Sequence, residues 1–222
     1  MSARGQMFGV LLDIDGVLYV GDEPIAGAQE ALAELRQMPG GVRLVTNTTS
    51  RSRAAVVEHL RELGFEASIE DVLTPAAMAV RHCRERGHRS VELVVSDGLR
   101  EDLAELEHTS ASEHVDAVIL GDVGAYASAL EYATHRDAVV VGKPSEEFFN
   151  TAMADLGVEH AVMIGDDVEA DVGGAMAAGL PGVLVRTGKY LQKALPQEVT
   201  PTAIVDSIAD VPGLLARILP AA

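Results

Sequence analysis

The chain has one cysteine, no tryptophan and only 4% aromatic residues. A lone cysteine, Cys83, excludes an internal disulfide and any zinc site built from several thiolates. It lies in the helical pattern Ala-Met-Ala-Val-Arg-His-Cys and reads as a small buried residue. Long apolar runs are missing as well. Nothing approaches the roughly 18 consecutive apolar residues of a membrane-spanning helix, and the opening Met-Ser-Ala-Arg-Gly-Gln-Met-Phe lacks a stretch of signal-peptide length. These absences point to a soluble protein in a reducing, cytoplasmic setting. Cations are few: 17 Lys and Arg face 34 Asp and Glu, a formal charge of -17. Such a field repels nucleic acid and anionic membranes, so neither is expected as a partner. Lysine is scarcest, with three residues against fourteen arginines. The seven histidines form no HxH or HExxH pair and read as surface or packing residues. No G-x-G-x-x-G follows the first apolar run, which removes support for a dinucleotide site.

What is present is aliphatic. With 48% hydrophobic residues and so few rings, the interior must be made of Ala, Val, Leu and Ile, which favours helices packed on a parallel sheet. A length of 222 residues suits one core, or a core with a small second lobe. Largely apolar segments at 8–12, 42–45, 91–95, 115–120, 138–141, 161–164, 182–185 and 203–205 read as strands. Helical spacing marks 26–37, a helix ending at Gly64 and capped by Ser50 or Ser52, 75–86 behind the Thr74 cap with Pro75 at its first position, 128–134, 146–156, 168–178 and 208–219. The alternation predicts an α/β fold: a Rossmann-like parallel-sheet core with helices on both faces.

Four segments carry the chemistry: Asp13-Ile14-Asp15-Gly16, Thr46-Asn47-Thr48, Lys143-Pro144, and Gly165-Asp166-Asp167 with Asp171. Each follows an apolar run, which would place it at the carboxyl end of a strand, where open α/β sheets keep their ligands. In an extended segment Asp13 and Asp15 face the same side. Two carboxylates so close repel, and a divalent cation on one with a proton on the other would divide them into a nucleophile and an acid/base. Thr46, Asn47 and Thr48 sit between a strand and a helix, where hydroxyls and free N–H groups either cradle phosphate oxygens or simply cap the helix. Lys143 is a lysine retained in a composition that prefers arginine, a compact ammonium able to neutralise a carboxylate and an incoming phosphoryl group. Three acids in seven positions cannot all bind one metal. Asp166 is the expected ligand of magnesium, a hard cation; Asp167 is left to capping or to orienting the ligands, and Asp171 to orientation or to contact with Lys143. Gly173-Gly174 reads as a close helix–sheet contact.

In this order the segments resemble the haloacid dehalogenase superfamily of phosphohydrolases, over nearly the whole chain. Thr-Asn-Thr-Thr, Val-Val-Gly-Lys-Pro, Ile-Gly-Asp-Asp and Arg-Thr-Gly-Lys-Tyr (186–190) narrow the resemblance to the branch with an α/β cap inserted between the second and third motifs. The resemblance implies that Asp13 attacks phosphorus to form an aspartyl phosphate, and that Asp15 protonates the leaving oxygen and later activates water. It implies Mg2+ held by Asp13, the Asp15 main-chain carbonyl and Asp166, and phosphate held by Thr46, Asn47, Thr48 and Lys143. It divides the chain into core (1–72), cap (73–137) and core (138–222). Between Gly121 and Tyr126, where capped relatives carry further helix and strand, this sequence passes almost directly to Ala-Leu-Glu-Tyr-Ala-Thr, so the cap is abbreviated. The expected activity is hydrolysis of a small phosphorylated substrate, by a possible homodimer. A phosphotransferase or mutase on the same core, and a non-enzymatic phospho-acceptor module, are the alternatives; the second carboxylate at Asp15 speaks against the latter.

Overall fold

The computed structural model describes residues 7–108, 115–121, 124–192 and 199–218. The chain start, the short junction after Gly121 and the expected end of the last helix at Leu219 lie outside the described residues. Six parallel strands form the main sheet in the order β11-β10-β9-β1-β4-β5. They are β1 (Phe8–Asp13), β4 (Val42–Val45), β5 (Val72–Leu73), β9 (His160–Gly165), β10 (Gly182–Val185) and β11 (Ala203–Val205). A short antiparallel hairpin, β2 (Tyr19–Val20) and β3 (Glu23–Pro24), follows β1 directly.

Alternation along the central strands builds two cores. Val10, Leu12 and Ile14 of the first segment point into one cluster with Val162, Ile164 and Leu44, while Leu11 and Met163 point to the opposite face with Phe148 and Phe149. Side chains of period two on a strand buried on both faces give the continuous apolar runs seen in the sequence. The first face is covered by α1 (Ala28–Leu35), α2 (Arg53–Glu62) and α7 (Val211–Ile218); the second takes α5 (Glu146–Leu156) and Met78 of α3 (Pro75–Glu85). Each fully buried Leu or Ile contributes about 1.5–3 kcal/mol. The caps are local: Ser52 accepts from Ala55 N–H at 3.2 Å, and Thr74 from Ala77 N–H at 3.3 Å. Ser52, not Ser50, is therefore the α2 cap.

A second sheet of three parallel strands, β7-β6-β8, comprises β6 (Ser90–Val94), β7 (Glu107–His108) and β8 (Ala117–Leu120). It has its own core of Val91, Leu93, Leu99 and Leu103 against Ala79, Val80 and Cys83 of α3. At two residues, β7 is too short to leave a periodic signal. Among the described residues no helix is long and apolar enough to cross a membrane.

Three expectations are corrected. Residues 138–141, after α4 (Gly124–Thr134), form no strand. Val139 and Val140 are 56% and 59% exposed, and only Val141 reaches apolar partners, touching both the α5-side core and the small-sheet core. An apolar run becomes a strand only where a ladder partner exists. Residues 168–178 are not one regular helix: Val168–Gly173 is a π-helical turn that precedes α6 (Gly174–Ala177). Asp171 and Val172 both donate to the Asp167 carbonyl, at 3.0 and 3.3 Å. The close approach at Gly174, finally, is to Pro144 and to Phe149 of α5.

Candidate active site

Three neighbouring strands deliver the site. Leu12 pairs with Leu44 of β4 on one side and Ile164 of β9 on the other, so Asp13, Thr46 and Asp166 emerge within a residue of the same level at the carboxyl edge. Asp13, Asp166, Asp171, Lys143 and Thr46 are all at least 94% buried. Lys143 comes from the loop before α5 and pairs its ammonium with Asp13 and, at 2.6 Å, with Asp171 Oδ1. Counted as ionised, the three carboxylates outnumber the one ammonium by two charges in a region of low dielectric.

The titration directions follow from this imbalance. Burial, then the charge of Asp171, push the Asp13 carboxyl well above the usual range, against the pull of Lys143. Burial works to lower Lys143, but the carboxylates of Asp13 and Asp171 outweigh it and hold the ammonium protonated above its usual value. Burial likewise raises Asp166, opposed by a hydrogen bond from Lys189 N–H.

Asp171 is engaged through both oxygens: Oδ1 forms an ion pair with the Lys143 ammonium at 2.6 Å and Oδ2 accepts Asp167 N–H at 3.1 Å. The widened π turn makes this possible by folding the Asp171 side chain back beneath Asp167. Asp167 caps the turn, its Oδ1 accepting from Glu169 and Ala170 N–H at 3.1 and 3.0 Å, while Oδ2 meets the Lys189 ammonium at 3.2 Å.

Asn47, expected to contact phosphate, grips the Lys143 main chain. Its Oδ1 accepts Lys143 N–H at 2.8 Å and its Nδ2 donates to Lys143 O at 2.7 Å. The carboxamide thus holds the lysine's main chain and keeps one N–H donor in reserve. Thr46 Oγ1 accepts Thr48 N–H at 3.1 Å, and a hydroxyl that accepts one bond can still donate another. Thr48 approaches the Ser50 hydroxyl at 3.4 Å.

Asp15 lies outside the buried trio. Its residue is exposed and forms a backbone bridge with Tyr19, whose phenol is pushed above its ordinary range by burial and then by the Asp15 charge. The ring of Tyr19 is 4% exposed and packs edge-on to His59, centroids 4.9 Å apart. Asp15 is therefore the one acid of the set free to reach an incoming group from the solvent side.

Sequence reasoning assigns nothing to Gly188 and Lys189, yet they shape the site. Lys189 N–H donates to Asp166 Oδ2 at 2.6 Å. A Cβ at Gly16 (φ +86°) or Gly188 (φ +57°) would fall 2.1 Å from the same oxygen. Both positions favour glycine in backbone conformation and in space. The signals available in the sequence are the Arg-Thr-Gly-Lys-Tyr string and the scarcity of lysine: two of three lysines stand at the site.

The donor set fits a hard divalent cation. Carboxylate oxygens of Asp13, Asp166 and Asp171 lie within 4.8 Å of one another. Asp171 is contacted on both oxygens, whereas Asp13 and Asp166 are each contacted on one, which makes these two the readier ligands. Asp166 Oδ1 is buried with no hydrogen-bond partner among the described residues, a cost of about 1–3 kcal/mol that a bound cation would remove.

Comparison with known proteins agrees with this geometry. A haloacid dehalogenase-like hydrolase family model matches residues 10–109, and a second model of that superfamily matches 140–211. The chain is 38% identical to phospholysine phosphohistidine inorganic pyrophosphate phosphatase of Bos taurus, over 97% of this chain and 98% of that protein. It is 36% identical to haloacid dehalogenase-like hydrolase domain-containing protein 2 of Rattus norvegicus, over 89% and 90%. Among solved structures, glycerol phosphate phosphatase from Mycobacterium tuberculosis in complex with magnesium superposes with TM-score 0.76 at 28% identity, covering 90% of this chain and 75% of that one. The p-nitrophenyl phosphatase from Archaeoglobus fulgidus gives 0.78 at 25% identity, covering 95% and 100%. The chain belongs to the haloacid dehalogenase-like hydrolases.

Proposed function

We propose that the protein is a magnesium-dependent phosphatase that hydrolyses a small phosphorylated substrate through an aspartyl phosphate on Asp13. The observation that carries this reading is the Asp13–Lys143–Asp171 arrangement, in which a buried carboxylate at the end of the central strand faces a fixed ammonium. Phosphoryl transfer asks for in-line positioning and charge neutralisation more than for elaborate bond chemistry. The relatives' names, which include phosphatases for pyrophosphate, glycerol phosphate and p-nitrophenyl phosphate, support the same class.

In the first step the Asp13 carboxylate attacks phosphorus, the bond from phosphorus to the leaving oxygen breaks with its electrons on that oxygen, and Asp15 donates the proton. In the second, Asp15 takes a proton from water, the water oxygen attacks the phosphorus, and the phosphorus–Asp13 oxygen bond breaks, returning the carboxylate and releasing phosphate. Lys143 neutralises the transferred group, while the Thr46 and Thr48 hydroxyls and the N–H groups near the start of α2 offer donors to its oxygens. Asp171 orients Lys143 from one side and Asn47 from the other. Magnesium held by Asp13, Asp166 and the Asp15 main-chain carbonyl would neutralise the phosphoryl charge.

Residues 73–137 are read as an abbreviated cap over this edge. The small sheet reaches the segment after β4 through Ser96, whose hydroxyl donates to Thr49 O at 3.0 Å, and Asp102, which accepts Arg53 N–H at 2.8 Å. The alignment with the bovine relative runs over 265 residues whereas this chain has 222, which supports a shortened insertion. The test is release of inorganic phosphate from p-nitrophenyl phosphate and a panel of metabolite phosphates, with magnesium and with a chelator. Turnover that requires the metal is expected; folded, metal-loaded protein inert on the whole panel contradicts the reading.

A further inference from the structure

Two lysines reach the site and they are built differently. Lys143 is buried and committed to two carboxylates. Lys189 stands at the rim with a side chain 60% exposed. Its backbone is fixed firmly: Thr187 Oγ1 donates to Gly16 O, Gly188 adjoins the Gly16 Cα, and Lys189 N–H is bound to Asp166. The stem therefore starts between the Asp13–Gly16 turn and the Asp166 carboxylate, beside any group seated on Asp13.

The ammonium itself is held lightly. Its partner is Asp167 Oδ2 at 3.2 Å, in an exposed ion pair of a kind that contributes little to stability. Asp167 Oδ1 already accepts two backbone N–H groups, so moving Lys189 away leaves Asp167 anchored.

Resting on the phosphatase reading above, we propose that Lys189 recognises a second, singly charged anionic group on the substrate. The preferred substrates are then phosphorylated small acids, and phosphates whose remainder is uncharged are poorer. The charge arithmetic favours this. The trio with Lys143 carries two excess negative charges, which a bound divalent cation offsets, leaving nothing at the buried level for a further anion. In a protein of charge -17 such an anion is repelled unless a rim cation meets it. An ammonium on a flexible stem can leave Asp167 for the ligand without breaking the site.

The test compares 3-phosphoglycerate with glycerol 3-phosphate, which share a skeleton and differ in a carboxylate against a hydroxymethyl group. The intact protein should show the higher kcat/KM on the acid. Lys189→Gln should lower the ratio of the two kcat/KM values about tenfold, chiefly through KM, as expected for loss of a charge-assisted contact. Lys189→Arg should restore most of it. An unchanged ratio in Lys189→Gln overturns the inference while phosphatase activity stands. No turnover of p-nitrophenyl phosphate by the magnesium-loaded intact protein overturns the phosphatase reading and the inference with it.

Discussion

Asn47 grips Lys143 by both ends of its peptide unit, accepting from its N–H at 2.8 Å and donating to its carbonyl at 2.7 Å. The two residues are 96 positions apart, and this pair of bonds joins the loop after β4 to the loop before α5. The ammonium can face Asp13 only if its backbone is held there. Asn47→Ala should therefore lower kcat on the order of 10²-fold, the scale expected when a catalytic group is misplaced by an ångström. Steady-state kinetics with a melting curve checks this: a loss in rate with a melting temperature within a few degrees of the parent is the expected pair of results.

Asp13 is held in a setting that favours its protonated form when no metal is bound. A carboxyl raised in the folded state above its unfolded value of 3.8 loses stabilisation as pH rises from that value through the folded one, so at neutral pH its ionisation weighs against folding. Asp13→Asn should raise the melting temperature of metal-free protein while abolishing turnover. Each 1 kcal/mol gained corresponds to about 2–4 °C at this size. Magnesium should raise the melting temperature of the parent more than that of the variant. Calorimetry with and without magnesium measures both.

At Gly188 the expected lesion is steric. The added methyl of Gly188→Ala would meet Asp166 Oδ2 at 2.1 Å and the Gly16 Cα at 2.6 Å, at a φ of +57°. Asp166 must move, and the magnesium concentration for half-maximal activity should rise at least about tenfold, as for changes in groups that orient a ligand. Gly179, also at positive φ but with open space around its Cβ position, is the control: Gly179→Ala should cost about 1 kcal/mol of backbone strain and leave the metal requirement unchanged.

Asp167 should report on acid stability. Burial alone would raise its carboxyl, but the Ala170 N–H and the Lys189 ammonium outweigh burial and bring it below the ordinary 3.8. A depressed folded value stabilises above the unfolded one and is lost as pH falls through the folded one. Asp167→Asn keeps a capping oxygen and removes the charge. The stability gap between parent and variant should be largest near neutrality, at roughly 0.5–1 kcal/mol, and close below about pH 3.8. Urea unfolding across a pH series checks the sign.

Much of this molecule can be read from its residues, and the exceptions have physical causes. Strands β1, β9 and β10 are legible because burial on both faces forces largely apolar runs, β4 is legible despite Arg43, and the positions of Asp13, Thr46 and Asp166 follow from them. Residues 138–141 have the same composition and no ladder partner, so composition alone misreads them. The double bond of Asn47 to Lys143 joins distant loops, and nothing local in Thr-Asn-Thr encodes it. The π turn at Val168–Gly173 depends on the Asp167 carbonyl serving two N–H groups, a choice made by the site and not by helical propensity. Lys189 stands in the Arg-Thr-Gly-Lys-Tyr string, but its role is not legible there, because it comes from a fixed backbone and a side chain held only by an exposed ion pair.

The central claim is that phosphorus is carried on Asp13. Magnesium-loaded protein mixed with a radiolabelled phosphate ester, quenched in acid within the first turnovers and digested, should yield label on the peptide containing Asp13. The label should be absent in Asp13→Asn and greater in Asp15→Asn, whose intermediate hydrolyses slowly. Turnover without label on that peptide, or undiminished turnover by Asp13→Asn, would contradict the account.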